Sequence, residues 1–265
     1  MRYKPDIQKE VNMKIKNITA GYLGFSLYNI NFSIEEGKTV ALLGLNGTGK
    51  TTIIKTICGL LKAKAGNVYI DGKDILSMNE KERGKLLSYV PQRSDIVYET
   101  SVIDVVLMGI TPYLGMFQTP NMEHRIEAVK SLEKLGIKGL ADENYLNLSE
   151  GQKQLVLIAR ALLQNGNYLI LDEPDSSLDL VNKHKLMKKI REIITDNNKS
   201  ALISMHNPEY ALNYCDKILL LKDGEISEIN MEADDMASIE KKLIDIYGPI
   251  KILKYNERYI LYYNG

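Results

Sequence analysis

The chain has 265 residues, 45% hydrophobic and 26% charged, with 34 Lys+Arg against 34 Asp+Glu and a formal net charge of zero. That length suits one large α/β domain or two modest ones, and it can bury a sizeable core. A balanced charge supplies no overall field to hold the chain on nucleic acid or anionic lipid, so no nucleic-acid partner is expected.

The first sixteen residues, from Met1 to Lys16, are charged throughout and do not resemble a signal peptide. The longest apolar runs, such as 102–108 and 218–221, are far too short to span a bilayer. A soluble, cytosolic chain is expected, with any membrane role exercised through a partner. Residues 1–10 are polar and read as loosely held. Over 11–34 the alternation of Met13, Ile15 and Ile18, then Leu27, Ile30, Phe32 and Ile34, with Gly21 and Gly24 as punctuation, predicts an antiparallel ribbon. Short strands are expected at 39–43, 66–72 and 86–91. Helical spacing dominates 94–147, in Val102, Val105 and Val106 and then Ile126, Val129, Leu132 and Leu135. A helix through Leu163, a strand at 168–171, an amphipathic helix over 180–196, a strand at 201–204, a helix over 208–214 and a hairpin over 218–229 follow. The tail holds an amphipathic helix near 238–247 and a tyrosine-rich strand pair. Cys58 and Cys215 lie in apolar runs outside any C-x-x-C or Cys/His cluster and read as buried small hydrophobes.

Gly44-Leu45-Asn46-Gly47-Thr48-Gly49-Lys50-Thr51-Thr52 satisfies the pattern G-x-x-x-x-G-K-[ST]. Before it runs the apolar strand 39–43, and after it apolar residues at helical spacing over 53–61. Strand, glycine loop and helix in that order build an anion site: backbone N–H groups curl around phosphate oxygens, and the helix N-terminus adds positive potential. Lys50 would reach the β- and γ-phosphates of ATP, and the Thr51 hydroxyl would sit on Mg²⁺.

Two further stretches narrow the chemistry. Tyr168-Leu169-Ile170-Leu171-Asp172-Glu173 is an apolar strand that ends in two carboxylates, and uncompensated buried charge is costly. Beside a phosphate loop, Asp172 can hold the Mg²⁺ shell and Glu173 can polarise the attacking water. Leu148-Ser149-Glu150-Gly151-Gln152 opens the next helix and forms a second N-terminal anion site, although Ser149 alone reads more readily as a plain N-cap. Two anion sites and one triphosphate point to a nucleotide held by one copy and closed over by a second.

With these motifs in this order the chain resembles the ATP-binding cassette (ABC) ATPases over nearly its whole length. The loop at 44–51 resembles their Walker A, 148–152 the signature, 169–173 Walker B, and Ser176-Ser177-Leu178-Asp179 the D-loop. Gln92 after Tyr89-Val90-Pro91 resembles the Q-loop glutamine, and His206 after Ile203-Ser204-Met205 the switch histidine. Tyr22 sits where the family places an adenine-stacking aromatic, and a packing role suits it as well. The resemblance implies an α/β fold: a P-loop NTPase core of mostly parallel sheet with flanking helices, an N-terminal antiparallel β subdomain and an inserted α-helical subdomain. It implies one nucleotide-binding domain over 1–265, with ATPase core at 11–93 and 148–229, helical insertion at 94–147 and C-terminal extension at 230–265. Glu173, His206, Gln92 and Lys50 would be catalytic. Tyr22, Gly44, Asn46, Gly47, Thr48, Gly49, Lys50, Thr51, Thr52, Ser149, Gly151, Gln152 and Asp179 would bind ATP, and Thr51, Gln92 and Asp172 would hold Mg²⁺. Two departures stand out: Glu150 where the family most often has Gly, expected to turn outward, and Asp175-Ser176 where Thr-Ser is commoner.

The stretches 104–117 and 154–162 resemble ATPase subunits of importers for iron–siderophore complexes, haem and cobalamin; importers of molybdate and metal ions share much of the pattern. The implied partners are a second copy, integral-membrane permease subunits and, indirectly, an extracytoplasmic substrate-binding protein, at the cytoplasmic face of the membrane. A soluble regulatory or repair ABC ATPase is the alternative. The signature argues against a kinase-like phosphotransferase.

Overall fold

A computed structural model describes residues 12–93 and 96–265; the polar segment 1–10 and the expected start of the helical region at Ser94 lie outside the described residues. The chain begins as an antiparallel pair, β1 (Asn12–Tyr22) and β2 (Phe25–Glu35), whose two-residue turn places Gly24 at φ +85°. Met13, Ile15, Ile18, Leu27, Ile30 and Ile34 are buried on one face of the pair. β3 (Thr39–Leu43) is buried at every residue and leads into α1 (Lys50–Ile57). The helix stops at Ile57 although apolar residues continue to Leu61. Gly59 takes φ +69°, and Leu60 N–H turns back to the Lys55 carbonyl, which ends the helix in a left-handed cap.

β4 (Ala65–Ile70) and β5 (Lys73–Asp74) are followed by α2 (Glu80–Leu86) and β6 (Leu87–Val90). No helix was expected at α2, because Glu80-Lys81-Glu82-Arg83-Gly84-Lys85-Leu86 has no apolar stripe. Its ends make it: Asn79 Oδ1 accepts from Glu82 N–H, acids occupy the first turn and bases the last. Arg83 is buried and donates to the carbonyls of Met78 and Ile75.

Next come α3 (Val102–Leu107), α4 (Met122–Lys134) and α5 (Glu150–Gln164), which share a core of Val102, Val105, Val106, Ala128, Leu132, Val156 and Ala159. The remainder is β7 (Tyr168–Asp172), α6 (Leu180–Asp196), β8 (Ser200–Met205), α7 (Pro208–Tyr214), β9 (Lys217–Lys222), β10 (Glu225–Asn230), α8 (Met236–Tyr247), β11 (Ile250–Tyr255) and β12 (Arg258–Tyr263).

Six strands form the central sheet in the order β10-β9-β3-β8-β7-β6, parallel except for β10, which pairs antiparallel with β9. A second sheet, β2-β1-β4-β5, is antiparallel throughout. Strands β3, β7 and β8 are buried at every residue because both faces of the sheet are covered. Val40, Leu42, Ile170 and Leu202 face α1 and the antiparallel sheet; Ala41, Leu43, Leu169, Leu171 and Ile203 face α5, α6 and α7. Ile239, Leu243, Ile250 and Ile252 of the tail join this second cluster. Cys58 and Cys215 are buried free thiols, both pushed up in pKa by burial.

Candidate active site

In a parallel sheet, loops that leave neighbouring strands meet along the C-terminal edge. The strand order β3-β8-β7-β6 therefore gathers four stretches distant in sequence: the glycine loop after β3, His206 after β8, Asp172-Glu173 at the end of β7, and Gln92 after β6.

Their side chains touch. Glu173 Oε2 accepts from Gln92 Nε2 at 2.6 Å, and Oε1 lies 2.5 Å from His206 Nε2 and 3.9 Å from Lys50 Nζ. Lys50 Nζ is 3.4 Å from His206 Nδ1. An ammonium has no lone pair to offer, so Nδ1 accepts, and the ring proton sits on Nε2 and is donated to Glu173. Lys50 is 4% exposed and also donates to the carbonyls of Gly44 (2.9 Å) and Leu45 (3.1 Å). Burial lowers its pKa, against the pull of Glu173 and Asp172. Gly49 takes φ +105°, and a Cβ there would stand 2.7 Å from Leu27 Cδ1 and 2.9 Å from Phe25 Cζ. The left-handed φ favours glycine here, and a Cβ would also press on the ends of the Leu27 and Phe25 side chains.

Asp172 is 1% exposed, and its Oδ1 accepts from Ser204 Oγ at 2.6 Å and Thr51 Oγ1 at 3.2 Å. Burial pushes its carboxyl up, and the two hydroxyls hold it down. Ser204 Oγ also accepts from Glu173 N–H at 2.9 Å, so one buried hydroxyl serves both acidic residues. Glu173 adopts φ +48°, a left-handed conformation worth about 1–3 kcal/mol of strain. Its N–H is anchored on Ser204, and its carbonyl accepts from Ser176 N–H.

Ser204 was not among the residues singled out from sequence. Its signal was a lone hydroxyl in a buried apolar strand, and only the pairing of Asp172 with Ser204 across β7 and β8 gives it meaning. Ser204→Ala should cost about 1–3 kcal/mol of stability near neutral pH, because a buried carboxylate loses a donor. The hydrogen bond favours the ionised form, so the penalty should shrink as acid protonates Asp172. Thermal melts of both proteins from pH 7 downward check this; equal melting temperatures at pH 7 would contradict it.

Tyr22, Asn46, Gly47, Gly49, Lys50, Thr51, Thr52, Glu173 and His206 line one open cleft of about 340 Å³. Phe25, also missed from sequence, lines it beside Tyr22 at the hairpin end. Gly44 and Thr48 shape the loop, Thr48 Oγ1 donating to the Leu45 carbonyl. Ser149, Gly151 and Gln152 line a different hollow, of about 490 Å³, with Leu178 and Asn182. Ser149 Oγ accepts from Gln152 N–H while Gln152 Oε1 accepts from Ser149 N–H, a capping box at the start of α5. Asp179 caps α6 by accepting from Asn182 N–H, which holds its carboxyl below the usual range.

Residues 27–176 match the family model described as ABC transporter. A Helicobacter pylori protein named as an iron chelatin transport ATP-binding protein is 32% identical over 253 residues, covering 94% of this chain and 98% of the relative. The chain belongs to the ABC transporter family. A metal-chelate type ABC transporter solved in an inward-facing conformation has the same fold, with TM-score 0.80 at 24% identity over 95% of this chain and 96% of that one. A dimeric ATP-binding cassette in a post-hydrolysis state, bound to ADP and Pi, gives TM-score 0.74 at 29% identity over 83% of this chain and 98% of that one. This ABC chain is an ATP-binding and ATP-hydrolysing subunit.

Within the cassette, the Glu150 carboxylate is exposed and accepts from Lys153 Nζ at 2.8 Å. Asp175 lies 3.6 Å from Lys183. No helix among the described residues is long and apolar enough to cross a membrane. Among them, no group of three or more His, Cys, Asp or Glu could hold a metal. The Thr51 hydroxyl and Asp172 carboxylate are nonetheless hard oxygen donors side by side, which fits Mg²⁺, an ion that takes few protein ligands and fills its shell with water and phosphate oxygens.

Proposed function

We propose that this cassette powers an ABC importer for an iron complex (a siderophore or haem) or cobalamin, working as a homodimer on the cytoplasmic face of the membrane. One observation carries the homodimer: Ser149, Gly151 and Gln152 line a hollow that shares no residue with the glycine-loop cleft. Each chain thus offers two half-cradles for phosphate, and a nucleotide contacts both only when a second copy closes on it. Lys50, Thr51 and Asp172 of one chain would face Ser149 and Gly151 of the other. The near full-length match to the iron chelatin relative supports the cargo class.

Tyr22 would stack on adenine, and the N–H groups over 44–52 would take the phosphates. Thr51, Gln92 and Asp172 would hold Mg²⁺, which would supply positive charge against the developing charge of the phosphates. Glu173 would accept the proton of the attacking water, and His206 would turn its Nε2–H from Glu173 to the γ-phosphate. Lys50 would exchange the carbonyls of Gly44 and Leu45 for phosphate oxygens. Residues 94–147 would act as the helical subdomain that grips cytoplasmic loops of the permease, with an extracytoplasmic binding protein delivering cargo on the far side.

The test is affinity capture of tagged Glu173→Gln chain from detergent-solubilised native membranes in ATP and Mg²⁺. A multi-span permease in the eluate is expected, and its identity separates iron complexes from molybdate or another metal ion. An eluate holding only soluble partners or nucleic acid would overturn the importer reading.

A further inference from the structure

Besides its core packing, the C-terminal hairpin is tied by hydrogen bonds to α7, the helix that follows His206. One edge of β12 pairs with β11; the other faces α7. There Tyr259 N–H donates to Asn213 Oδ1 at 3.0 Å, Asn213 Nδ2 donates to the Tyr259 carbonyl at 2.8 Å, and Leu261 N–H donates to Glu209 Oε2 at 3.1 Å. The fit is geometric. Residues four apart on a helix rise about 6 Å, and residues two apart on a strand span about 6.8 Å, so Glu209 and Asn213 stand in register with Leu261 and Tyr259. Two side chains thereby replace a neighbouring strand and close an otherwise open edge.

α7 has seven residues, too few for a stable helix by itself; Tyr210, Ala211, Leu212 and Tyr214 hold one face in the core, and the polar ties to β12 hold Glu209 and Asn213. It begins at Pro208, two residues past His206. Asn207 Oδ1 accepts from Glu209 N–H at 2.8 Å, so Glu209 is held at its backbone by the segment carrying His206 and at its carboxylate by β12. Asn213 Nδ2 also donates to the Glu209 carbonyl at 2.8 Å, joining the two clamp residues. His206 Nε2 meets Glu173 at 2.5 Å, a contact that a displacement of about 1 Å would break.

We propose that Glu209 and Asn213, clamped on the C-terminal hairpin, are positioning residues for His206, so that β11 and β12 set the rate of ATP hydrolysis. This rests on the reading of His206 as the γ-phosphate contact.

Steady-state ATPase assays on Glu209→Ala and Asn213→Ala, in the full chain, test it. Each should lower kcat about tenfold or more while KM for ATP stays within twofold, because misplacing a catalytic group costs rate rather than nucleotide binding. Glu209→Gln keeps an oxygen for Leu261 N–H and should retain near wild-type kcat. In a His206→Ala background the Glu209→Ala change should have no further effect. The chain has three histidines, so the His206 imidazole can be assigned by NMR through its loss in His206→Ala. Its resonance should move in Glu209→Ala and Asn213→Ala and stay in place in Glu209→Gln. If His206→Ala itself keeps wild-type kcat, the reading of His206 fails. If His206→Ala is slow but the clamp variants turn over normally, or lower kcat equally without His206, the positioning role is overturned.

Discussion

Glu173→Gln should lower the rate of ATP hydrolysis by about 10²–10⁴-fold while leaving ATP binding intact. The carboxylate is nearly buried and already surrounded by donors from Gln92 and His206, so an amide of the same shape keeps the packing and one acceptor oxygen. What the amide cannot do is take a proton from water. It also removes a negative charge near the phosphates, where Glu173 repels Asp172 and raises its pKa. Binding energy then goes uncoupled from turnover, and the two-copy sandwich should accumulate with ATP and Mg²⁺. Phosphate release and light scattering read the two effects separately. A variant that hydrolyses within a few-fold of wild type would remove Glu173 as the base, and one that stays monomeric in saturating ATP would remove the sandwich.

Lys50→Ala should weaken ATP binding by about a hundredfold. A hydrogen bond to a charged group is worth about 1.5–3 kcal/mol, and the ammonium would give the phosphates at least one such bond. The change also acts on the empty protein. Lys50 donates to the Gly44 carbonyl, shares the Leu45 carbonyl with Thr48 and lies 3.9 Å from Glu173, so its removal takes a donor from the buried Gly44 carbonyl and a cation from Glu173. The variant should therefore melt lower than wild type and gain less on adding nucleotide, since ligand stabilisation follows occupancy. Calorimetric titration with ATP settles the first point and thermal melts with and without ADP the second. An affinity within threefold of wild type would contradict the role of Lys50 at the phosphates.

Much of this was local in sequence. The glycine loop is read from spacing because its residues act through the backbone. Gly49 takes a left-handed φ that favours glycine, and Lys50 starts a helix after a buried strand. The Asp172-Glu173 pair is legible because two carboxylates at the end of an apolar strand need a cation or a proton to handle. The hairpins of β1 with β2, β9 with β10 and β11 with β12 follow from alternation and turn glycines or polar turn residues. The α2 helix was not legible, since its stability comes from its cap, its end charges and the burial of Arg83 rather than from an apolar period.

Sequence alone thus marked out a phosphate loop, a pair of carboxylates and a second capped helix start, and resemblance to the family added a histidine and a glutamine. Tertiary structure decided which of them meet. Gln92, Glu173 and His206 touch because β6, β7 and β8 are neighbours in the sheet, and chain order does not dictate strand order. Ser204 gained its role from register, Phe25 from the approach of the hairpin to the loop, and Glu209 and Asn213 from the match between a helical rise and a strand repeat. Local patterns are written in a few consecutive residues, whereas these contacts depend on relative positions of elements that only the packed core establishes.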